Sequence, residues 1–202
     1  MPFFLHLCTM NFKQLVVLVF LAMVIIACGD NEDSGVPKPK GYYRITFPEH
    51  AYKEFKPANC PYSFDISTTA VAIPDTNSLS EPFWYYIVMP KLNGQIYLTY
   101  KKLNGDFNKY AEDTRTLVYK HTSRASSINE SVLKVNENVG GLLYEIGGDA
   151  ASPIQFFVTD STSHFLRGAL YFNSAPNADS LAPAVKYAKE DIMKMIGTLK
   201  WN

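Results

Sequence analysis

The sequence has few cysteines, no excess of charge of either sign and no apolar run long enough for a comfortable membrane span. Lys plus Arg and Asp plus Glu both number 19 in 202 residues. This balance argues against a nucleic-acid-binding protein, because neutralising phosphates requires a basic excess. The three cysteines, Cys8, Cys28 and Cys60, are too few and too scattered for a disulfide framework.

Motifs for catalysis and for metal binding are also missing. His50, His121 and His164 lie far apart, and the chain contains no His-Glu-x-x-His, no Gly-x-Ser-x-Gly and no P-loop. The glycine pairs at 140–141 and 147–148 flank a predicted strand and are typical of turns or bulges. We therefore predict a non-enzymatic protein without a metal or cofactor. A metal site that joins all three histidines is the less favoured alternative.

The composition indicates a packed domain that is rich in strands. Hydrophobic residues make up 47% of the chain and charged residues 19%, so a folded core is expected and general disorder is not. Aromatic residues reach 14%, which favours β-structure and a surface that contacts partners.

The first 27 residues are predicted to be a lipoprotein signal peptide. Residues 15–27 are all apolar, a length that fits the core of a signal peptide better than a membrane span. Met10, followed closely by Lys13, gives a more typical beginning than Met1, and we expect it to be the true start.

Residues 25–29, Ile-Ile-Ala-Cys-Gly, resemble a bacterial lipobox. In that case the thiol of Cys28 carries a diacylglycerol, and cleavage before it frees an amine that takes a further acyl chain such as palmitate. Several acyl chains together form a stable membrane anchor. An ordinary secretory signal with a chance cysteine is the alternative. Cys60 is then the single cysteine left, which predicts a buried apolar side chain, with a reactive or intermolecular thiol as the alternative.

Residues 28–41 are predicted to be the lipidated cysteine and a flexible tether. The segment is polar, then proline-rich, and has no apolar periodicity. Its acidic run at 30–33 is either a solvated spacer or an acidic surface-export signal like those of some Bacteroidetes lipoproteins. Gly29 stands where an inner-membrane retention signal has Asp, which favours the outer membrane, facing the periplasm.

Residues 42–202 are predicted to be one globular domain of the α+β class. It should contain a mainly antiparallel sheet of about seven to eight strands and two main helices. Apolar alternation predicts strands at 42–47, 62–67, 83–89, 95–101, 131–136, 142–146, 154–159 and 165–172. Helical periodicity predicts helices at 107–121, capped within 104–106, and at 181–199, capped by Asp179. The continuous apolar run at 83–89 predicts a central strand buried on both faces.

The helix at 107–121 is expected to present two distinct faces. The residues expected to lie on the sheet are Phe107, Tyr110, Ala111, Leu117 and Val118. The residues expected to point outward are Glu112, Asp113, Arg115 and Thr116. Adjacent carboxylates on one helix point about 100° apart, so Glu112 and Asp113 do not form a catalytic pair.

Four segments together resemble one known family. They are Pro-Lys-Pro-Lys-Gly-Tyr-Tyr-Arg-Ile at 37–45, Cys-Pro-Tyr-Ser-Phe at 60–64, the helical segment 110–122, and Met-Ile-Gly-Thr-Leu-Lys-Trp at 195–201. With the lipobox, they resemble the GldD family of gliding-motility lipoproteins of the Bacteroidetes over nearly all of the chain from Cys28 onward. The order of strands and helices also resembles the PsbP-like α/β/α sandwich.

The family resemblance implies a lipid-anchored accessory protein for gliding motility and type IX protein secretion. It implies contacts with other envelope lipoproteins, GldJ especially, no nucleic acid and no catalytic residues. Glu112, Asp113 and Arg115 are candidate partner-docking residues, as is Trp84 in the aromatic run 83–86. The alternative interpretations are a solvated helix face and an ordinary core strand. A periplasmic carbohydrate- or peptidoglycan-binding module is the alternative function.

Overall fold

The computed structural model describes Lys13, Val16 and residues 46–202. Lys13 and Val16 are helical. The remainder of the predicted signal peptide, Cys28, the tether at 28–41 and most of the strand predicted at 42–47 lie outside the described residues. The two described positions of that strand, Thr46 and Phe47, are not in a strand.

Ten strands and two α-helices make up the described domain, within one compact unit at Tyr42–Asn202. The strands before the first helix are Tyr52–Phe55 (β1), Tyr62–Ser67 (β2), Val71–Pro74 (β3), Tyr85–Met89 (β4) and Gly94–Lys102 (β5). The first helix, α1, is Phe107–Tyr119. The remaining elements are Ala125–Lys134 (β6), Gly140–Gly148 (β7), Ile154–Thr159 (β8), His164–Phe172 (β9), Ala178–Gly197 (α2) and Lys200–Trp201 (β10). Short 3-10 helices occur at Pro90–Leu92 and Lys120–Ser123.

The strands form two antiparallel sheets. Seven strands lie in the order β3-β4-β5-β9-β8-β7-β6, and three lie in the order β1-β2-β10. All described pairings are antiparallel. The predicted α+β class with a mainly antiparallel sheet is confirmed. The strands missed from the sequence, β1, β3 and β10, have only two to four residues each, too few for a clear alternation.

The two helices pack on opposite faces of the large sheet. In β8, Phe156 and Val158 belong to the core shared with α2 and β2, whereas Phe157 belongs to the core under α1. Successive side chains of a strand point to opposite faces, so this division places one helix on each side. Ile192 of α2 and Val118 of α1 are both fully buried. The arrangement is three-layered, helix on sheet on helix.

The prediction that 83–89 forms a central strand buried on both faces is wrong. The strand begins at Tyr85 because Phe83 has a left-handed φ of 67°, and it lies next to the edge strand β3. Tyr62 Oη holds this turn by donating a hydrogen bond to the Phe83 carbonyl at 2.7 Å. The strand that is buried at all six positions is instead β8, because it lies between the two helices, with one on each face.

The start of α2 differs from the predicted cap, whereas α1 begins after Asp106, within the predicted capping segment 104–106. In α2, Asn177 is the capping residue and its side chain accepts a hydrogen bond from the Ser180 amide at 2.9 Å. Asp179 lies in the first turn, where its charge favours the helix dipole. In α1, Asp106 occupies the capping position, but its carboxylate accepts from the Asn104 amide at 2.8 Å.

Cys60 is buried and free, as predicted. It is 4% exposed, and burial raises the pKa of its thiol. Both effects disfavour the reactive thiolate, so the interpretation as an apolar core side chain holds. Among the described residues, no helix combines the length and the apolar character needed to cross a membrane.

Helix α1 packs on β8 and β9 and leaves the outer strands partly open on the same face. Directly paired residues share a face, and the row on this side runs from Ile73 through Tyr86 and Tyr97 to Ala169. Ile73 is 46% exposed, and the two tyrosines are half-buried. The border between α1 and this open surface is where the candidate site lies.

Candidate functional site

A groove of about 370 Å³ lies between α1 and strands β5 and β9. We call it the α1 groove. Lys109, Tyr110, Asp113 and Leu117 line it from the helix, at positions that share one flank because they follow the helical repeat. Its lining continues on the sheet side with side chains of β5 and β9 and with Trp84.

Two aromatic side chains flank the groove, and a lysine lies within reach of both. The Lys101 ammonium is 5.3 Å from the centre of the Trp84 ring and 5.7 Å from that of Tyr110. Trp84 is fixed because its indole N–H donates to the Tyr100 carbonyl at 2.9 Å and its ring meets Tyr97 edge-on. Trp84, which precedes β4, is therefore held in place by β5, and Tyr110 is carried by α1.

An arginine lines the groove on the sheet side, in the middle of an otherwise apolar strand. Arg167 donates from Nη2 to Gln155 Oε1 at 2.6 Å. Among the described residues, Arg167 Nε and Gln155 Nε2 are buried and have no hydrogen-bond partner. A buried polar group left unpaired costs about 1–3 kcal/mol. The sheet therefore keeps two unused donors beneath α1.

The electrostatics of the groove are set by Arg167. Burial lowers the pKa of its guanidinium, and the nearby phenol Tyr171 opposes that effect. The pKa of His121, just beyond α1, is lowered by burial and by the positive charge of Arg167. The charge of Arg167 therefore acts on His121 as well as on the groove that Arg167 lines.

Basic residues outnumber acidic ones in the groove by three to one. Lys101, Lys109 and Arg167 line it, with Asp113 as the one acidic lining residue. Lys101 forms an ion pair with Glu81. In the described part of the chain, neither Arg167 nor Lys109 is in an ion pair. The groove carries a net positive charge that the domain leaves unneutralised.

The structure separates the four predicted docking residues into two pairs. Trp84 and Asp113 line the α1 groove. Glu112 and Arg115 are exposed on the opposite flank, where Arg115 lies 5.5 Å from the Tyr119 ring. Tyr119 in turn donates to Glu130 of β6 at 3.0 Å. The outward orientation predicted for the charged positions of α1 is confirmed, but the four do not form one cluster.

The predicted core position of Leu117 is wrong. Its side chain is 39% exposed and lines the α1 groove, whereas Val118 is 0% exposed and Thr114 is 1% exposed. The apolar stripe is narrower than predicted because only one edge of α1 contacts the sheet. Leu117 instead supplies apolar surface to the groove.

This difference gives a prediction about stability. Leu117→Ala should lower the free energy of unfolding by about 1 kcal/mol, less than the change at Val118, because 39% of the Leu117 side chain stays in water in the folded domain. Val118→Ala should lower it by about 2 kcal/mol, since two fully buried methyl groups are removed and a cavity is left. Urea denaturation of the two variants provides the comparison. Equal losses would show that Leu117 is a core residue after all.

The sequence analysis missed Arg167, Lys101 and Lys109. A signal for Arg167 was present, since it is the one charged residue in the apolar run 165–172. Gln155 interrupts the apolar run 154–158 in the same way. Polar residues in strands that are otherwise apolar mark positions where burial is costly, and these two residues are bonded to each other.

The three histidines that the structure describes lie in separate environments. His50 Nδ1 is 2.7 Å from Asp191 and Nε2 is 2.9 Å from Glu190, which ties the segment before β1 to α2. His164 is bonded to the Tyr100 hydroxyl at 2.8 Å. Within residues 46–202, no group of three or more His, Cys, Asp or Glu side chains could hold a metal ion.

A larger depression, of about 530 Å³, lies at the β6–β7 hairpin. Its charged lining residues are Lys134 and Glu137, which have opposite signs. It has no tryptophan or tyrosine in its lining. The α1 groove therefore has the more distinctive chemistry of the two.

Comparison with known proteins gives one match at the level of a family. A sequence model described as "Gliding motility lipoprotein GldD" matches residues 32–201. No curated protein matches the chain. Among solved structures, the solution structure of cyanobacterial PsbP (CyanoP) from Synechocystis sp. PCC 6803 aligns with 82% of this chain and 100% of its own. The TM-score is 0.46 and the sequence identity is 6%.

Proposed function

The chain belongs to the GldD family of gliding-motility lipoproteins, and we propose that it supports gliding and type IX protein secretion through protein–protein contacts rather than catalysis. The observation that carries this proposal is the family match over residues 32–201, which includes the whole of the described domain from residue 46. The fixed aromatic and basic groove gives such a domain a surface suited to recognition.

We place the anchor at Cys28 and the domain in the periplasm, at the outer membrane. The lipobox at 25–29 and Gly29 after the cysteine support this placement. The tether up to residue 41 spans up to about 45 Å when extended, so the domain can reach partners away from the lipid surface. Other envelope lipoproteins such as GldJ are the proposed partners.

Two surfaces of the domain are proposed to contact partners. One is the α1 groove, with Trp84 and Asp113. The other is the exposed flank with Glu112 and Arg115. Arginine suits such a role because its planar guanidinium binds carboxylates with two hydrogen bonds.

Deletion of the gene in a gliding host tests the proposed function. We expect single cells to lose gliding and colonies to lose spreading, with reduced release of proteins secreted by the type IX machinery. Re-expression of the full chain should restore all three. A deletion strain with normal gliding and normal secretion would contradict the proposal, whatever the groove binds.

One observation favours the carbohydrate-binding alternative. Trp84 and Tyr110 line the same groove, and Asp113 supplies a carboxylate there. Sugar-binding sites often combine aromatic rings with a carboxylate in this way. Trp201 and Tyr85 do not add to it, since Trp201 stacks on His164 and Tyr85 packs edge-on against Phe55. Incubation of the purified chain with isolated cell wall tests this alternative, and recovery of no bound protein would remove it.

A further inference from the structure

We propose that the α1 groove binds an acidic peptide segment of a protein partner, with Arg167 pairing with an Asp or Glu carboxylate and the aromatic side chains taking the apolar residues beside it. The inference rests on the proposed function, because it names the chemistry of one contact through which the domain acts. It concerns this chain's own groove and holds independently of which partner supplies the segment.

The domain leaves hydrogen-bond donors of Arg167 unused. Arg167 uses Nη2 for Gln155, while Arg167 Nε and Gln155 Nε2 are buried without a partner in the described part of the chain. Gln155 is 0% exposed and does not line the groove, whereas Arg167 does, so it is the guanidinium of Arg167 that offers its remaining donors to an acceptor oxygen. A carboxylate offers two such oxygens and neutralises the guanidinium in the same step.

The surroundings of Arg167 in the groove are positively charged. Lys109 at the rim is not in any described ion pair, and the lining has three basic residues against one acidic residue. The whole chain has a formal charge of zero. The positive charge is therefore local to the groove and is not part of a generally basic surface, which favours a local acidic contact over a nucleic-acid backbone.

Part of the groove lining is apolar. Trp84 and Tyr110 flank the Lys101 ammonium, and Leu117 adds exposed aliphatic surface. A free inorganic anion would leave these surfaces in water. A peptide that alternates acidic with apolar side chains fills both parts of the groove, because its apolar residues cover the aromatic rings while its carboxylate reaches Arg167.

Fluorescence anisotropy with the full-length chain in a zwitterionic detergent tests the proposal. The probe is a short rhodamine-labelled peptide that alternates Glu with Phe and Leu, and the matched probe has Gln in place of Glu. We expect the Glu peptide to bind at least about tenfold more tightly than the Gln peptide, and its binding to weaken as NaCl is raised.

Three variants locate the binding. Arg167→Gln should weaken binding of the Glu peptide at least about tenfold, because the carboxylate loses its buried partner. Lys109 is exposed in the first turn of α1, where the helix dipole favours an acidic residue and offsets repulsion by Asp113, so Lys109→Glu should keep the fold and weaken binding of the Glu peptide. Lys186→Glu makes the same charge change at an exposed position of α2 and should bind as the wild type does.

Three outcomes would overturn the inference. They are equal binding of the Glu and Gln peptides, wild-type binding by both groove variants, and no Glu-dependent binding at about 1 mM peptide. Circular dichroism of each variant confirms that the fold is kept. Because gliding is not measured here, failure of the peptide test leaves the family-based function standing.

Discussion

Cys28→Ala is expected to abolish fatty-acid attachment, release the chain from the membrane fraction and stop gliding. Each buried methylene of an acyl chain contributes about 0.8 kcal/mol to membrane binding, so two or three chains hold the protein firmly and their loss removes the anchor. Metabolic labelling with an alkyne fatty acid, followed by membrane fractionation and single-cell tracking, measures the three effects together. Labelling should disappear completely, since Cys28 is the proposed acceptor.

Cys60→Ala is the matched control for this experiment. Cys60 is buried within the domain and burial raises its thiol pKa, so it is not expected to carry lipid. Its variant should be labelled, membrane-bound and motile like the wild type, with a stability loss of about 1 kcal/mol. Continued labelling of the Cys28→Ala chain would show that the lipobox at 25–29 has been wrongly assigned.

Local patterns predicted the elements whose environments are uniform along their length. The strand predicted at 154–159 coincides with β8, and the helix predicted at 107–121 contains α1. In both elements, burial against the core extends over many residues, and the order of apolar and polar residues in the sequence follows that burial. The edge strand β3 shows no such apolar pattern, because its four residues are held by pairing with β4 while three of them stay exposed.

The run 83–89 shows why apolar content alone misplaces a strand. Its aromatic residues suggested burial on both faces, but Tyr86 lies on the partly open face and donates to Asp75 at 3.3 Å. Tyr97 donates to the same carboxylate at 2.9 Å. Tyrosine can occupy a half-exposed strand because its ring packs while its hydroxyl stays bonded, and sequence alone does not separate the two environments.

The α1 groove was beyond sequence analysis because its parts come from four separate stretches of chain. Trp84, Lys101, Lys109 and Arg167 are brought together only by the pairing of β5 with β9 and by the packing of α1 over them. The helix periodicity correctly placed Asp113 outward, but which flank faces the sheet follows from tertiary packing. Leu117 was assigned to the core for the same reason.

Arg167→Gln and Lys109→Glu are expected to impair gliding at normal protein abundance. Removing one partner of a buried charge pair at an interface costs about 2–5 kcal/mol, which lowers affinity about thirtyfold or more. Folding should tolerate Arg167→Gln, because the new side-chain amide keeps a donor for Gln155 Oε1 while it removes a partly buried charge. Lys109→Glu adds a negative charge one turn from Asp113 and repels an acidic segment.

The most direct measurement is single-cell gliding speed in the deletion strain, complemented in turn with the wild type, Arg167→Gln, Lys109→Glu and Lys186→Glu. Immunoblots of the envelope fraction normalise each speed to the amount of protein. Contacts made through the α1 groove predict that both groove variants glide slowly or not at all, while Lys186→Glu glides like the wild type. Wild-type speed for both groove variants at equal abundance would contradict the account.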